Sequence, residues 1–258
     1  MKKLKKLLTL GLAMILSLSI VSSPISALTK NKTTVNDNFN YYNTKLWTIG
    51  TWSETGTDCP KDINYTFTNA LVFNGKLKLN ITQNKLYWYK PAKTNGAEVR
   101  SRSTYNYGYY ETRMKPTGAS GVISSFYLYA DNADEIDIEF VGEDMTKLQI
   151  NTYIKGQQTG KAKYINLGFD ASKNYHNYGI LWLENSITWY VDGKEVYKLT
   201  SDDCEIPQSK MHIAMDYWVI NNNMTSMIDW AGKYKGATNI NTYYDYVTYS
   251  TVNQITIN

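Results

Sequence analysis

The chain has 258 residues with 27 Lys and Arg against 23 Asp and Glu, but residues 1–27 carry four lysines and no acid, which leaves 23 basic and 23 acidic residues in the remainder. A neutral remainder attracts neither phosphate backbones nor anionic lipid strongly, which argues against nucleic-acid and membrane-surface partners. Twenty-three Tyr and 7 Trp beside only 2 His and 5 Pro favour half-buried strands, and the same rings offer flat faces to sugars.

In chain order, Lys2, Lys3, Lys5 and Lys6 precede an apolar run from Leu7 to Val21 and a small-residue exit at Ile25-Ser26-Ala27. That pattern is a secretory signal peptide over residues 1–27, and the run is short for a membrane span. The mature protein is therefore expected outside the cell as a monomer, with residues 28–258 forming a single domain large enough to bury its own core. Leu77 to Ile81 alternates apolar and polar residues behind the turn dipeptide Asn74-Gly75, and Tyr107 to Met114 alternates likewise before Lys115-Pro116. Ile187 to Val191 and Glu195 to Leu199 flank Asp192-Gly193, a hairpin signal. No window after the leader sustains a helical apolar stripe, and Asp229 to Gly232 holds one turn of helix at most. Short strands at regular spacing predict an all-β sandwich or barrel. Cys59 and Cys204 lack metal-ligand spacing, and both a disulfide and two separate thiols stay open.

Residues 134–140 read Asp-Glu-Ile-Asp-Ile-Glu-Phe. In a strand, Glu135, Asp137 and Glu139 share one face while Ile136, Ile138 and Phe140 share the other. Three carboxylates in a row repel one another, so a sheet does not choose this arrangement for stability. An edge strand facing water and a calcium site both accommodate the pattern, although lysine is the commoner edge device and calcium loops curl around their ion. Catalysis gives the spacing a purpose. Glu135 and Glu139 lie about 13 Å apart at Cα along a strand, and side chains leaning together reach either the ~5–5.5 Å gap of a retaining glycosidase or the ~6.5–9.5 Å gap of an inverting one. Asp137 between them can share a proton and spread the protonation of the group, as an acid and a nucleophile require.

The acidic strand resembles the signature of glycoside hydrolase family 16, in particular its bacterial licheninase branch. Gly96 to Ser101, Tyr107 to Glu111, Met114 to Pro116, Gly121 to Phe126, Leu167 to Ser172 and Trp189 to Gly193 resemble licheninase segments in the same order, over a span from Phe39 to Tyr249. The resemblance implies a concanavalin-like β jelly roll, two curved antiparallel sheets with a concave substrate cleft. It implies a retaining endo-β-glucanase acting on mixed-linkage 1,3-1,4-β-glucan, with Glu135 as nucleophile, Asp137 as helper and Glu139 as acid/base. Laminarinase-type relatives carry an extra residue before the last Glu, so the uninterrupted motif favours the licheninase or xyloglucan-type branches. Another β-glucan as substrate, or a lectin-like jelly roll that binds without cutting, are the competing readings.

By the same resemblance, Glu98, Arg100, Tyr107, Asn151, Tyr153, Asp216 and Trp218 are expected to contact sugar. No cofactor is expected for catalysis. Asp245, with backbone carbonyls near Gly75, matches a structural calcium site. Three departures stand out: Ala133 occupies the place of a Trp, Asp216 that of an Asn, and Tyr65 and Gly96 those of two cysteines that licheninases join. Lys85 to Lys93 reads as an insertion able to supply new aromatic contacts.

Overall fold

The computed structural model describes residues 30–85 and 92–252. The expected leader, residues 1–27, and the aromatic stretch 86–91 lie outside the described residues. The strands, in chain order, are β1 (Lys30–Asp37), β2 (Trp47–Ile49), β3 (Ser53–Glu54), β4 (Ile63–Tyr65), β5 (Ala70–Val72), β6 (Leu77–Gln83), β7 (Thr94–Ser101), β8 (Gly108–Lys115) and β9 (Val122–Tyr129). They continue as β10 (Glu135–Val141), β11 (Lys147–Ile154), β12 (Gln157–Gln158), β13 (Lys163–Asn166), β14 (His176–Leu183), β15 (Ser186–Val191), β16 (Lys194–Thr200), β17 (His212–Val219) and β18 (Ile240–Val252).

Two curved antiparallel layers form a β jelly roll. The front layer runs β2-β7-β17-β9-β10-β11-β13, with β12 extending β11. The back layer runs β16-β15-β14-β8-β18, and the far edge of β18 takes β6 along one stretch and β1 along another. The short β3 and β4 ribbon joins β7, with Tyr65 and Gly96 directly opposite in parallel register. The two positions that hold cysteines in licheninases are thus neighbours here too. Cys59 and Cys204 are separate thiols.

Strand β10 shows why the layers meet as they do. Ile136, Ile138 and Phe140 are fully buried, and Phe140 meets the ring of Tyr178 from β14 edge-on at 5.1 Å. The Trp189 indole of β15 donates to the Asp137 carbonyl at 3.0 Å, and the Tyr244 hydroxyl of β18 donates to the Ser125 carbonyl at 2.6 Å. Each buried Ile or Phe contributes about 1.5–3 kcal/mol. A one-residue slip of β10 would exchange all three for carboxylates, so the core fixes which face the acids occupy.

The turns follow their residues. Asp192 and Gly193 have φ of 48° and 76°, and Asn74 and Gly75 have 51° and 66°, the paired positive values that two-residue hairpins need. The helix expectation needs correction: instead of one turn at 229–232, α1 spans Thr225–Ala231 and stops at Gly232, whose φ is 77°. Its start, Met224, makes no side-chain cap bond, and seven residues are too few for a repeated stripe. Packing of Met227, Ile228, Trp230 and Ala231 on the core holds it instead.

Candidate active site

Register across the front layer assembles the site in three rows on its concave face. Tyr129, Glu135 and Tyr153 align on β9, β10 and β11. Arg100, Ala214, Tyr127, Asp137 and Asn151 form the next row, from β7 to β11. Glu98, Asp216, Ser125, Glu139 and Gln149 form the third. Every candidate on β7, β10, β11 and β17 therefore shares one surface, because each sits an even number of residues from the next.

The carboxyl row opens into a cavity of about 440 Å³ whose walls include Lys61, Gln149, Asn151, Tyr153, Trp218, Met227 and Trp230. A second cavity of about 350 Å³ shares Gln149, Tyr164 and Trp230 with it, so the groove continues past Glu139. A polar cavity of about 710 Å³, lined by Thr55, Asp62, Asn221, Asn222 and Asn223 among others, includes none of the three acids. Among the described residues no group of three His, Cys, Asp or Glu side chains is arranged to hold a metal ion.

Burial raises the pKa of all three acids. Desolvation is the main cause for Glu135, pushed up to about 7, with Lys61 and a hydrogen bond from Asp137 opposing it. Glu139 is pushed up to about 8 by burial and then by the charges of Glu135 and Asp216, against a hydrogen bond from Gln149. Asp137 is raised well above the ordinary range, by burial and by the acids on either side. Its hydrogen bond to Glu135 favours the ionised form of Glu135 and the protonated form of Asp137. Gln149 has a fixed orientation. The Trp230 indole donates to its Oε1 at 2.7 Å, which leaves its Nε2 to donate to Glu139 Oε2 at 3.2 Å.

Glu98 is 1% exposed, forms an ion pair with Arg100 Nη2 at 2.8 Å and accepts from the Tyr127 hydroxyl at 3.1 Å. Asn151 donates to the Tyr153 hydroxyl at 2.8 Å and accepts from Gln158 Nε2 at 2.9 Å. Trp218 lines the groove but is only 5% exposed, beside Trp230 at 6.0 Å between ring centroids. Tyr107 meets Trp182 edge-on at 5.1 Å and hydrogen-bonds Gln208, and it precedes β8 of the back layer and is not among the groove walls described above. Ala133 ends a tight turn with φ of 62°, its N–H donating to the Ala130 carbonyl at 2.9 Å, and itself brings only a methyl group to the turn before Glu135.

The calcium expectation at Asp245 and Gly75 does not fit its surroundings. Asp245 Oδ1 accepts from Lys76 Nζ at 3.0 Å, and Oδ2 pairs with Arg113 Nη1. Two protein cations already engage both oxygens, and a third positive charge would be repelled.

Sequence reasoning missed Lys61, Gln149, Tyr164, Met227 and Trp230. Gln149 was legible in principle, two residues before Asn151 and so on the same face of β11. The others come from a loop, a short strand and a short helix whose placement depends on tertiary packing.

A jelly roll with paired carboxyl groups on one strand of an open groove is the arrangement of a glycoside hydrolase, and the comparisons agree. Residues 59–238 match the model of "Glycosyl hydrolases family 16". The chain is 37% identical over 256 residues to a β-glucanase of Bacillus amyloliquefaciens, covering 96% of this chain and 99% of that one. It is 42% identical over 192 residues to a β-glucanase of Paenibacillus macerans, covering 72% and 74%. The solved Bacillus licheniformis β-glucanase superposes with a TM-score of 0.76 at 35% identity, covering 86% of this chain and 99% of that chain. The chain belongs to glycosyl hydrolase family 16.

Proposed function

We propose that this enzyme hydrolyses mixed-linkage 1,3-1,4-β-glucan within the chain and with retention of configuration. Glu135 attacks the anomeric carbon while Glu139 protonates the departing glycosidic oxygen; Glu139 then removes a proton from the water that releases the glycosyl-enzyme. The observation that carries this reading is the placement of the three acids: Glu135 and Glu139 flank Asp137 on one face of β10 in one groove, and burial raises the pKa of all three. An ionised nucleophile beside a protonated acid is what the first step requires. Gln149 donates to one oxygen of Glu139, which leaves the other to carry the proton. The groove's continuation past Glu139 suits a polymer bound along its length.

Relatives named β-glucanase support the substrate class. Ala133 and Asp216, where licheninases carry Trp and Asn, support a second reading in which the preferred linkage is that of another β-glucan. A panel of lichenan, laminarin and xyloglucan, with proton NMR of the first-formed anomer, tests both. Fast cleavage of lichenan with a β-anomer first is expected; an α-anomer first would mean inversion, and xyloglucan or laminarin as the better substrate would select the second reading. Secretion is part of the proposal, and a mature N-terminus at Leu28 in culture supernatant is the expected result.

A further inference from the structure

Among the described residues, Lys61 is the one cation on the walls of both the main groove and the small cavity that shares its acids, and no part of the mechanism above uses it. Its backbone is fixed. Residue 61 bridges Ile220 in antiparallel fashion, Asp62 N–H donates to the Val219 carbonyl at 3.1 Å, and Asn221 N–H donates to the Pro60 carbonyl at 2.8 Å. The loop is thereby bound to the end of β17, the strand that carries Asp216 and Trp218.

The ammonium is held as firmly. Nζ lies 3.2 Å from Glu54 Oε2 and 3.5 Å from Asp216 Oδ2, donates to the Tyr65 hydroxyl at 3.1 Å, and stands 4.9 Å over the Trp218 ring. Asp216 is 2% exposed, and its other oxygen, Oδ1, makes no well-formed hydrogen bond, the Ser125 hydroxyl across on β9 being the side chain's remaining polar neighbour. It lines a cavity of about 80 Å³ together with Glu135, Asp137 and Glu139. A buried carboxylate with one unpaired oxygen costs stability unless a cation and a ligand share it.

We propose that Lys61 is a positioning residue of this cleft and works with Asp216 as one unit: the ammonium balances the buried carboxylate, leaving Oδ1 to accept a hydrogen bond from a substrate hydroxyl beside Glu135. The proposal rests on the glucanase reading above. A licheninase Asn would supply an acceptor without charge; here the charge of Asp216 is added and cancelled by Lys61. The pair therefore also sets the field at the acids. Around the ammonium stand Glu54 of β3, Tyr65 of β4, Glu98 and Arg100 of β7, Tyr127 and Tyr129 of β9, the three β10 acids and Asp216. Within that set Lys61 favours the ionised form of Glu135 and Asp216 opposes it.

The test is a cycle of Lys61→Met, Asp216→Asn and the double variant, read as kcat/KM against pH on lichenan. Lys61→Met removes the cation, and the acidic limb is expected to rise by about one unit, a roughly tenfold loss below it. Asp216→Asn should move the limb down. The double variant should return it to within about 0.3 unit of the parent, because an ion pair has been exchanged for a neutral pair. Lys61→Arg should keep the parent limb. An unmoved limb in a cooperatively folding Lys61→Met, or losses that simply multiply in the double variant, would overturn the proposal. Should Lys61→Met fail to fold, an unmoved limb in Asp216→Asn overturns it equally. If the parent cleaves no glucan, the functional reading fails, and carbon-13 NMR titration of the carboxyl groups in the same cycle still reads the coupling: a Glu135 titration that is the same with and without Lys61 refutes it.

Discussion

Replacing Gln149 by Leu removes one hydrogen bond from the candidate acid and also the acceptor of the Trp230 indole N–H. The amide donates to Glu139 Oε2 at 3.2 Å and is oriented by Trp230. A hydrogen bond to a charged group contributes about 1.5–3 kcal/mol, and one pKa unit is about 1.4 kcal/mol. At 3.2 Å this bond belongs at the weak end of that range, so its loss should raise the Glu139 pKa by about one unit. Glu139 stands at about 8 in the parent, and it must be protonated for the first step, so the basic limb of kcat/KM against pH should move upward. The gain in alkaline range comes with a weaker acid. Turnover of unactivated glucan near pH 6 should fall several-fold, whereas aryl glycosides with good leaving groups, which need less protonation, should keep their rate. Stopped assays on both substrates across pH give the result directly. A basic limb that stays in place or moves down, in a variant with parental melting behaviour, would refute the role of Gln149 and weaken that of Glu139.

Glu135→Gln should abolish turnover at unchanged fold, and azide should rescue Glu135→Ala as an α-glycosyl azide; a β-azide would mean that Glu135 is not the nucleophile. The folded protein holds Glu135 and Glu139 at pKa values of about 7 and 8, above the ordinary 4.5, so it binds more protons than the unfolded chain between about pH 4.5 and 8. Their contribution to stability is then greatest at low pH and is lost as pH rises through that window. Tm should fall from pH 5 to pH 8, and Glu139→Gln should flatten the fall; an unchanged slope would contradict the burial argument. EDTA and added calcium should both leave Tm unchanged, because Lys76 and Arg113 already occupy Asp245. A calcium-dependent rise of several degrees would show that the ion displaces them.

What could be read in advance followed strand parity and turn chemistry. Period-two alternation placed Glu135, Asp137 and Glu139 on one face, the family resemblance gave them their expected roles, and the Asp192-Gly193 and Asn74-Gly75 hairpins came from residues that tolerate positive φ. The all-β class came from the same alternation repeated along the chain. Lys61 and Trp230 could not be read. A lysine in a turn-rich loop carries no periodic signal, and its neighbours Asp216 and Glu54 lie on strands distant in sequence. Asp245 was expected as a metal ligand from the family resemblance, and sequence cannot show that Lys76, just before β6, and Arg113 of β8 converge on it. Tyr107 shared the aromatic bias of the groove but precedes β8 of the layer behind it.

The alternation along β10 ties chemistry to folding within seven residues. Since the same parity that presents the acids also buries Ile136, Ile138 and Phe140, an insertion or deletion inside the strand would cost the enzyme its reaction and its core together. Connections escape that coupling: the turn at Ala133, the loop carrying Lys61 and the helix carrying Trp230 reach the groove without setting the register. Laboratory libraries seeking a new glucan preference should therefore recombine those three segments and leave the sheet alone. In this fold the reaction is inherited through the strands, and the choice of sugar is negotiated at their ends.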